Sequence, residues 1–204
     1  MMRFLFCFLL GGLAIVSASE TKTIVCLGDS LTAGYGLPNP EAQAYPALIQ
    51  KKINAANLPW RVINAGISGD TTAGGLRRIN WVLRQRIDVL ILALGGNDGL
   101  RGIDPAVTQE NLIGIIDRAR TRYPAIKIIL AGMQMPANLG ADYQARYRDT
   151  FPAVAKAKNC ELIPFLLEGV GGDPNLNQPD MIHPTAEGQE RLAETVWESL
   201  QTIL

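Results

Sequence analysis

Short apolar runs alternate along this chain with longer runs of helical period. Thr23 to Leu27 is a β-rich run that predicts a first strand. Tyr45 to Ala56 predicts a helix, with Leu48, Ile49 and Ile53 at helical spacing and Pro46 suited to its first turn. Arg61 to Asn64 predicts a second short strand and Thr71 to Gln85 a helix. Asp88 to Leu94 (Asp-Val-Leu-Ile-Leu-Ala-Leu) is apolar at nearly every position, as suits a parallel strand covered on both faces. Asp104 to Tyr123 predicts a helix with Leu112, Ile116 and Ala119 on one face. Lys127 to Ala131 predicts a fourth strand, Asp142 to Lys158 a helix, and Leu162 to Phe165 a fifth strand. Thr185 to Leu204 closes the chain as a helix in which Leu192, Val196 and Leu200 recur every four residues.

Strands alternating with helices imply an α/β fold with a parallel sheet and right-handed crossovers. In such sheets ligands bind outside the carboxyl ends of the strands. Four polar segments fall at that edge. Gly28-Asp29-Ser30 follows the first strand, Asn64-Ala65-Gly66 the second, and Gly95-Gly96-Asn97-Asp98 the third. Asp180-Met181-Ile182-His183-Pro184 lies in the long loop after the fifth.

His183 is the single histidine, so it is the only imidazole for acid–base work near neutral pH. Ser30 needs a base to become a nucleophile, because a hydroxyl barely ionises at neutral pH. Asp180, three residues before His183, can hold the ring in one tautomer and stabilise the imidazolium. The expected catalytic groups are therefore Ser30, Asp180 and His183. The expected oxyanion donors are the Ser30 N–H, the Gly66 N–H and the Asn97 side-chain amide. Each residue alone has a plainer role: a surface or core histidine, a turn aspartate beside Pro179, a turn glycine, an Asx-turn asparagine. Their common position on one sheet edge favours the catalytic assignment.

Composition narrows the class. Of 204 residues, 48% are apolar and 19% charged, which is globular and long enough for a real core. The 19 basic and 19 acidic residues cancel and no long basic run occurs, so nucleic-acid binding is not expected. The start differs in kind. Met1-Met2-Arg3 supplies a positive end, Phe4 to Val16 is almost wholly apolar, and Val16-Ser17-Ala18 offers small residues for cleavage. Residues 1–18 are thus expected to be a signal peptide and 19–204 one exported domain, periplasmic or secreted. The apolar run is shorter than the roughly 20 residues that span a bilayer, so no stable membrane insertion is expected after cleavage. Cys7 sits too early in that run for lipidation. Cys26 and Cys160 would remain; Cys26 lies inside an apolar strand, so free thiols are expected and not a disulfide.

At this point the residues carry a resemblance. Gly28-Asp29-Ser30-Leu31-Thr32-Ala33-Gly34-Tyr35-Gly36 resembles the first block of the GDSL, or SGNH, hydrolases. Asn64-Ala65-Gly66-Ile67-Ser68-Gly69-Asp70, Gly95-Gly96-Asn97-Asp98-Gly99-Leu100-Arg101-Gly102 and Asp180-Met181-Ile182-His183-Pro184 resemble the other three, in order. The family letters fall on Ser30, Gly66, Asn97 and His183. The resemblance is fullest to the exported bacterial branch of acyl-CoA thioesterase I, protease I and lysophospholipase L1, also called arylesterase. In that branch a loop like Met135-Pro136-Ala137-Asn138-Leu139-Gly140 borders the acyl-chain pocket. Met181 departs from the branch, leaving no second acidic residue beside Asp180.

The resemblance implies a three-layer α/β/α fold with a five-stranded parallel sheet in flavodoxin-like order. It implies a serine esterase acting on small acyl esters or thioesters through an acyl-enzyme, and no cofactor. The nucleophile-elbow motif Gly-x-Ser-x-Gly of the α/β-hydrolases is absent. A dinucleotide fingerprint is incomplete, since Gly34-Tyr35-Gly36 lacks its third glycine. Asp173-x-Asn175-x-Asn177 imitates a calcium loop but lacks the central glycine and has Pro184 where a Glu is required. Two alternatives stay open: a carbohydrate O-deacetylase on the same scaffold, and an inactive lipid- or glycan-binding module. Leu76, Ile79, Trp81, Met133, Met135 and Leu139 are expected near the site and lean toward acyl chains.

Overall fold

The structure, a computed structural model, describes residues 20–204. The segment expected to be a signal peptide lies outside them. Five strands are present: β1 (Lys22–Gly28), β2 (Trp60–Gly66), β3 (Val89–Ala93), β4 (Lys127–Ala131) and β5 (Glu161–Ile163). All pair in parallel, in the order β2-β1-β3-β4-β5. This is the parallel sheet the alternation predicts, in the three-layer α/β/α architecture and strand order that the resemblance implies. The long helices are α3 (Tyr45–Ala55), α4 (Thr72–Val82), α6 (Pro105–Arg122), α7 (Ala141–Ala157) and α8 (Ala186–Leu200). Helices α3 and α8 pack on each other as one layer, and α4, α6 and α7 form the other. Between them every residue of β3 is buried, which is why that strand is apolar without alternation.

Helix starts follow from their caps. Thr71 accepts the Gly74 N–H at 3.2 Å to open α4, and Thr185 accepts the Gly188 N–H at 3.2 Å to open α8. Asp104 caps α6 by accepting the Ala106 N–H at 3.0 Å, with Pro105 next in line. Three one-turn helices escaped the periodicity: α1 (Ser30–Ala33), α2 (Pro40–Gln43) and α5 (Gly96–Leu100). Four or five residues are too few to show a period of 3.6. Strand β5 is shorter than expected because Pro164, which has no N–H, follows it at once. Helix α8 ends at Leu200 and not at Leu204.

Register positions the site. Gly28 stands opposite both Gly66 and Ala93, so β1, β2 and β3 end at one level. Cys26 and Cys160 are both free. Cys26 lies in β1 and Cys160 just before β5, three strand spacings away; that is about 14 Å, beyond disulfide reach. Burial pushes the Cys26 thiol up to about 12, so it stays protonated. Among the described residues no helix is long and apolar enough to cross a membrane.

Candidate active site

The turn after β1 is tight because Gly28 allows it. A Cβ there would meet Thr32 Oγ1 at 1.9 Å and the Ala93 carbonyl oxygen at 2.9 Å. Asp29 then caps α1, its Oδ1 accepting the Leu31 N–H at 3.0 Å. Ser30 is the first residue of α1, and its N–H has no helical carbonyl four residues back to satisfy it. The buried Gln189 on α8 clasps this turn: its Nε2 donates to the Leu31 carbonyl at 3.1 Å and its Oε1 accepts the Tyr45 N–H at 2.8 Å.

His183 is delivered by a loop with its own scaffold. Buried Asn177 donates from Nδ2 to the carbonyls of Val170 (2.6 Å) and Asp173 (2.8 Å). The Asp173 carboxyl meanwhile accepts the Asn175 N–H at 2.9 Å and so shapes the same loop. Asp180 Oδ1 accepts the N–H groups of Ile182 and His183, each at 3.0 Å, while Oδ2 lies 2.6 Å from His183 Nδ1. Met181 sits at φ 58°, left-handed backbone that is uncommon for any residue but glycine, and this curl aims both N–H groups at one carboxyl oxygen. The other ring nitrogen, Nε2, is 2.9 Å from Ser30 Oγ. Ser30, His183 and Asp180 thus form one continuous hydrogen-bonded chain across 153 residues of sequence. The Tyr35 ring lies 4.6 Å from the imidazole, centroid to centroid. Partial burial pushes the Asp180 carboxyl up, but the His183 N–H, the imidazole and the Ile182 N–H outweigh it and hold the group down at about 2. It is therefore ionised at neutral pH.

Gly66 and Asn97 flank Ser30 from the next two strand ends. Asn97 Nδ2 donates to the Asp70 carbonyl at 2.9 Å and stands 3.4 Å from Asp29 Oδ2. The Gly66 N–H is engaged by Asn64 Oδ1 at 2.9 Å, and Asn64 Nδ2 donates to the Thr32 carbonyl at 2.8 Å. A Cβ on Gly66 would lie 2.3 Å from the Ala33 nitrogen. This glycine therefore answers to the packing of β2 against α1, a tertiary requirement that its sequence context did not reveal. Asp98, fully buried, accepts the Thr72 N–H at 2.8 Å and takes the Thr72 hydroxyl as well, tying α5 to the start of α4. Burial raises the Asp29 carboxyl to about 6; the Leu31 N–H and His183 oppose that shift, and the charge of Asp70 adds to it.

From Ser30 and His183 a cleft of about 450 Å³ opens toward β4 and β5. Leu100, Met133, Met135, Phe165 and Leu167 give it an apolar wall. Of the six apolar residues expected near the site, Met133 and Met135 line it. Leu139 is half-buried beside the same loop. The three on α4 do not reach it: Ile79 is in the core, Leu76 lies over Gly114 of α6, and Trp81 is 70% exposed. Helix α4 begins at the active edge and runs away from it at about 1.5 Å per residue, so chain proximity to Gly66 was misleading. Phe165 and Leu167 were not foreseen, because nothing in their local pattern says that the chain after β5 folds back over the β4 loop.

Comparison with known proteins agrees with this geometry. Residues 26–191 match the GDSL-like Lipase/Acylhydrolase family. The chain is 41% identical over 198 residues to esterase TesA of Pseudomonas aeruginosa, covering 95% of this chain and 96% of that protein. It is 36% identical over 190 residues to thioesterase 1/protease 1/lysophospholipase L1 of Escherichia coli K12, covering 92% and 87% respectively. The crystal structure of TesA superposes with a TM-score of 0.85, over 90% of this chain and 100% of that one. Fold, sequence relatives and family match agree along nearly the whole described chain, which therefore belongs to the GDSL-like lipase/acylhydrolase family.

Proposed function

We propose that this protein is a serine esterase that hydrolyses acyl esters and thioesters, of the arylesterase, acyl-CoA thioesterase and lysophospholipase type. One observation carries the assignment: the Ser30–His183–Asp180 hydrogen-bonded chain opens directly onto an apolar cleft. Ser30 Oγ attacks the acyl carbonyl carbon while its proton passes to His183 Nε2. Asp180, already ionised, holds Nδ1–H and stabilises the imidazolium. The tetrahedral intermediate collapses, the bond to the leaving oxygen or sulfur breaks, and His183 returns its proton to the leaving group. Water then enters, gives its proton to His183 and attacks the acyl-enzyme; Ser30 is regenerated and the acid leaves.

Three donors face the developing oxyanion in this scheme. The Ser30 N–H is available as the first residue of its helix. Asn97 Nδ2 carries two hydrogens: the Asp70 carbonyl takes one at 2.9 Å, and the other exchanges its long 3.4 Å contact with Asp29 Oδ2 for the oxyanion. The Gly66 N–H joins when the oxyanion replaces Asn64 Oδ1 as its acceptor. The long apolar wall favours acyl chains over sugar acetates, since sugars need polar partners and this wall offers few. Its residues 1–18 make the enzyme an exported one, starting at Ser19, which the mass of the protein recovered from an exporting host would check.

The assay is hydrolysis of esters and thioesters of graded acyl length, beside Ser30→Ala. Activity lost in the variant supports the mechanism, and the optimum length sizes the cleft. A folded wild type that spares every acyl substrate but cleaves sugar acetates would overturn the substrate assignment.

A further inference from the structure

Helix α4 carries two adjacent glycines, Gly74 and Gly75, in its first turns. Glycine in a helix costs about 1 kcal/mol relative to alanine. The structure explains the first of them. A Cβ on Gly74 would lie 1.7 Å from Asp70 Oδ1. The empty side of the glycine houses the Asp70 carboxylate, which is only 11% exposed. That carboxylate accepts Arg78 Nε through Oδ2 at 2.7 Å, one of seven residue-to-residue ion pairs with Lys or Arg among the described residues and the most sheltered of them.

Arg78 uses the rest of its fork on two strand ends. Its Nη1 donates to the Ala65 carbonyl at 2.8 Å and its Nη2 to the Gly28 carbonyl at 2.9 Å. Ala65 precedes Gly66, and Gly28 stands two residues before Ser30. Asp70 in turn lends its backbone carbonyl to Asn97 Nδ2 at 2.9 Å. A single guanidinium therefore braces all three segments that bear the oxyanion donors. A planar, permanently charged fork can hold three acceptors in fixed directions, and a lysine ammonium cannot match that pattern. Arg78 lies in no recognisable motif, does not line the cleft and makes no hydrogen bond to Ser30.

We propose that Arg78, seated by Asp70 and Gly74, is the positioning residue of the oxyanion site: it sets the spacing of the Ser30, Gly66 and Asn97 donors. The proposal rests on the serine-esterase assignment, since only there do these donors share a task. Transition-state stabilisation by hydrogen bonds depends steeply on geometry, and a displacement near 1 Å can cost on the order of 10²-fold. Ground-state binding in the apolar cleft is not directional and should be spared.

Three variants test this together. Arg78→Met removes the fork, Arg78→Lys keeps the charge and lessens the risk of misfolding, and Gly74→Ala leaves Arg78 intact but evicts the Asp70 carboxylate. Each is expected to lower kcat by about 10- to 100-fold, Arg78→Lys least, with KM within about threefold of wild type. In an Asn97→Ala background, Arg78→Met should cost markedly less than it does alone, because one of its targets is already gone. Magnetic resonance of the Asn97 side-chain amide supplies a readout that needs no turnover: its signals should move and exchange faster with solvent in all three variants. A lowered melting temperature with kcat within threefold of wild type and unmoved Asn97 signals would make Arg78 a structural brace only and overturn the proposal. A rise confined to KM would overturn it too. If the wild type hydrolysed no acyl substrate, the esterase assignment would fall, and the Asn97 signals would still decide whether Arg78 fixes that amide.

Discussion

The two walls of the cleft are built on different physics. One wall carries Ser30, Asn97 and His183, with Gly66 beside them at the end of β2, in a web of directional hydrogen bonds that involves Asp29, Asn64, Asp70 and Asp180. The other carries Met133, Met135 and Leu167, held mainly by apolar packing, together with Phe165. A developing oxyanion is stabilised only by donors already aimed at it, so the first wall must be stiff. An acyl chain is bound by removal of area from water, which has no preferred direction, and methionines adapt to its shape. In the proposed mechanism chemistry and selectivity thus occupy separate faces of one cleft and can change independently.

The largest break in this comparison should come from the stiff wall. Ser30→Ala is expected to lower kcat by about 10⁴-fold or more, with the melting temperature unchanged, because the residue supplies chemistry and little packing. Retained turnover in that variant would end the covalent mechanism. Asn97→Ala should cost on the order of 10²–10³ in kcat; a loss of only a few-fold would remove Asn97 from the oxyanion site.

Two carboxyls of the same wall should respond oppositely to pH. Asp29 is raised in the folded state to about 6, above the roughly 3.9 of an unfolded aspartate. The folded protein binds the extra proton between those values, so this group's stability contribution is full below about pH 4 and is lost as pH rises through 6. The loss is on the order of 2–3 kcal/mol. Asp29→Asn keeps an acceptor for the Leu31 N–H and cannot ionise, so denaturant titrations across this window should show the decline flattened. An unchanged profile would mean that Asp29 does not set it. Asp180, held at about 2, works the other way: its contribution is present above about pH 4 and fades as pH falls toward 2.

The smallest effect belongs to the adaptable wall. A Cβ on Gly99 would meet Met135 Sδ at 2.1 Å. Gly99→Ala should therefore push Met135 into the cleft and shorten the preferred acyl chain, with kcat on short esters within a few-fold of wild type. Each methylene denied its place removes about 0.8 kcal/mol of binding. A length profile identical to wild type would show that Met135 moves elsewhere.

Much of this was legible before any coordinates. The β3 run from Val89 to Ala93 is apolar because both its faces are covered, so its pattern announced a parallel sheet directly. Asp180 and His183 were legible as a pair because three residues of chain suffice to join them. The α4 residues show where such inference stops. Trp81 looked like part of the acyl pocket from its place after Gly66, yet it points to solvent near the far end of its helix. Arg78 carried no signal either, since its fork joins Ala65 and Asp70 to Gly28, 50 residues away in the chain.

By itself the sequence determined the strand–helix alternation, the order of the strands' polar termini and the candidates for the reacting groups, because each rests on local pattern or on residue chemistry. Only the tertiary structure decided how far apart those groups stand, which apolar residues face the cleft, and why Gly66 and Gly74 must lack side chains. Those are distances between segments remote in the chain. They are set by sheet register, helix direction and close packing, which act only once the whole core has assembled.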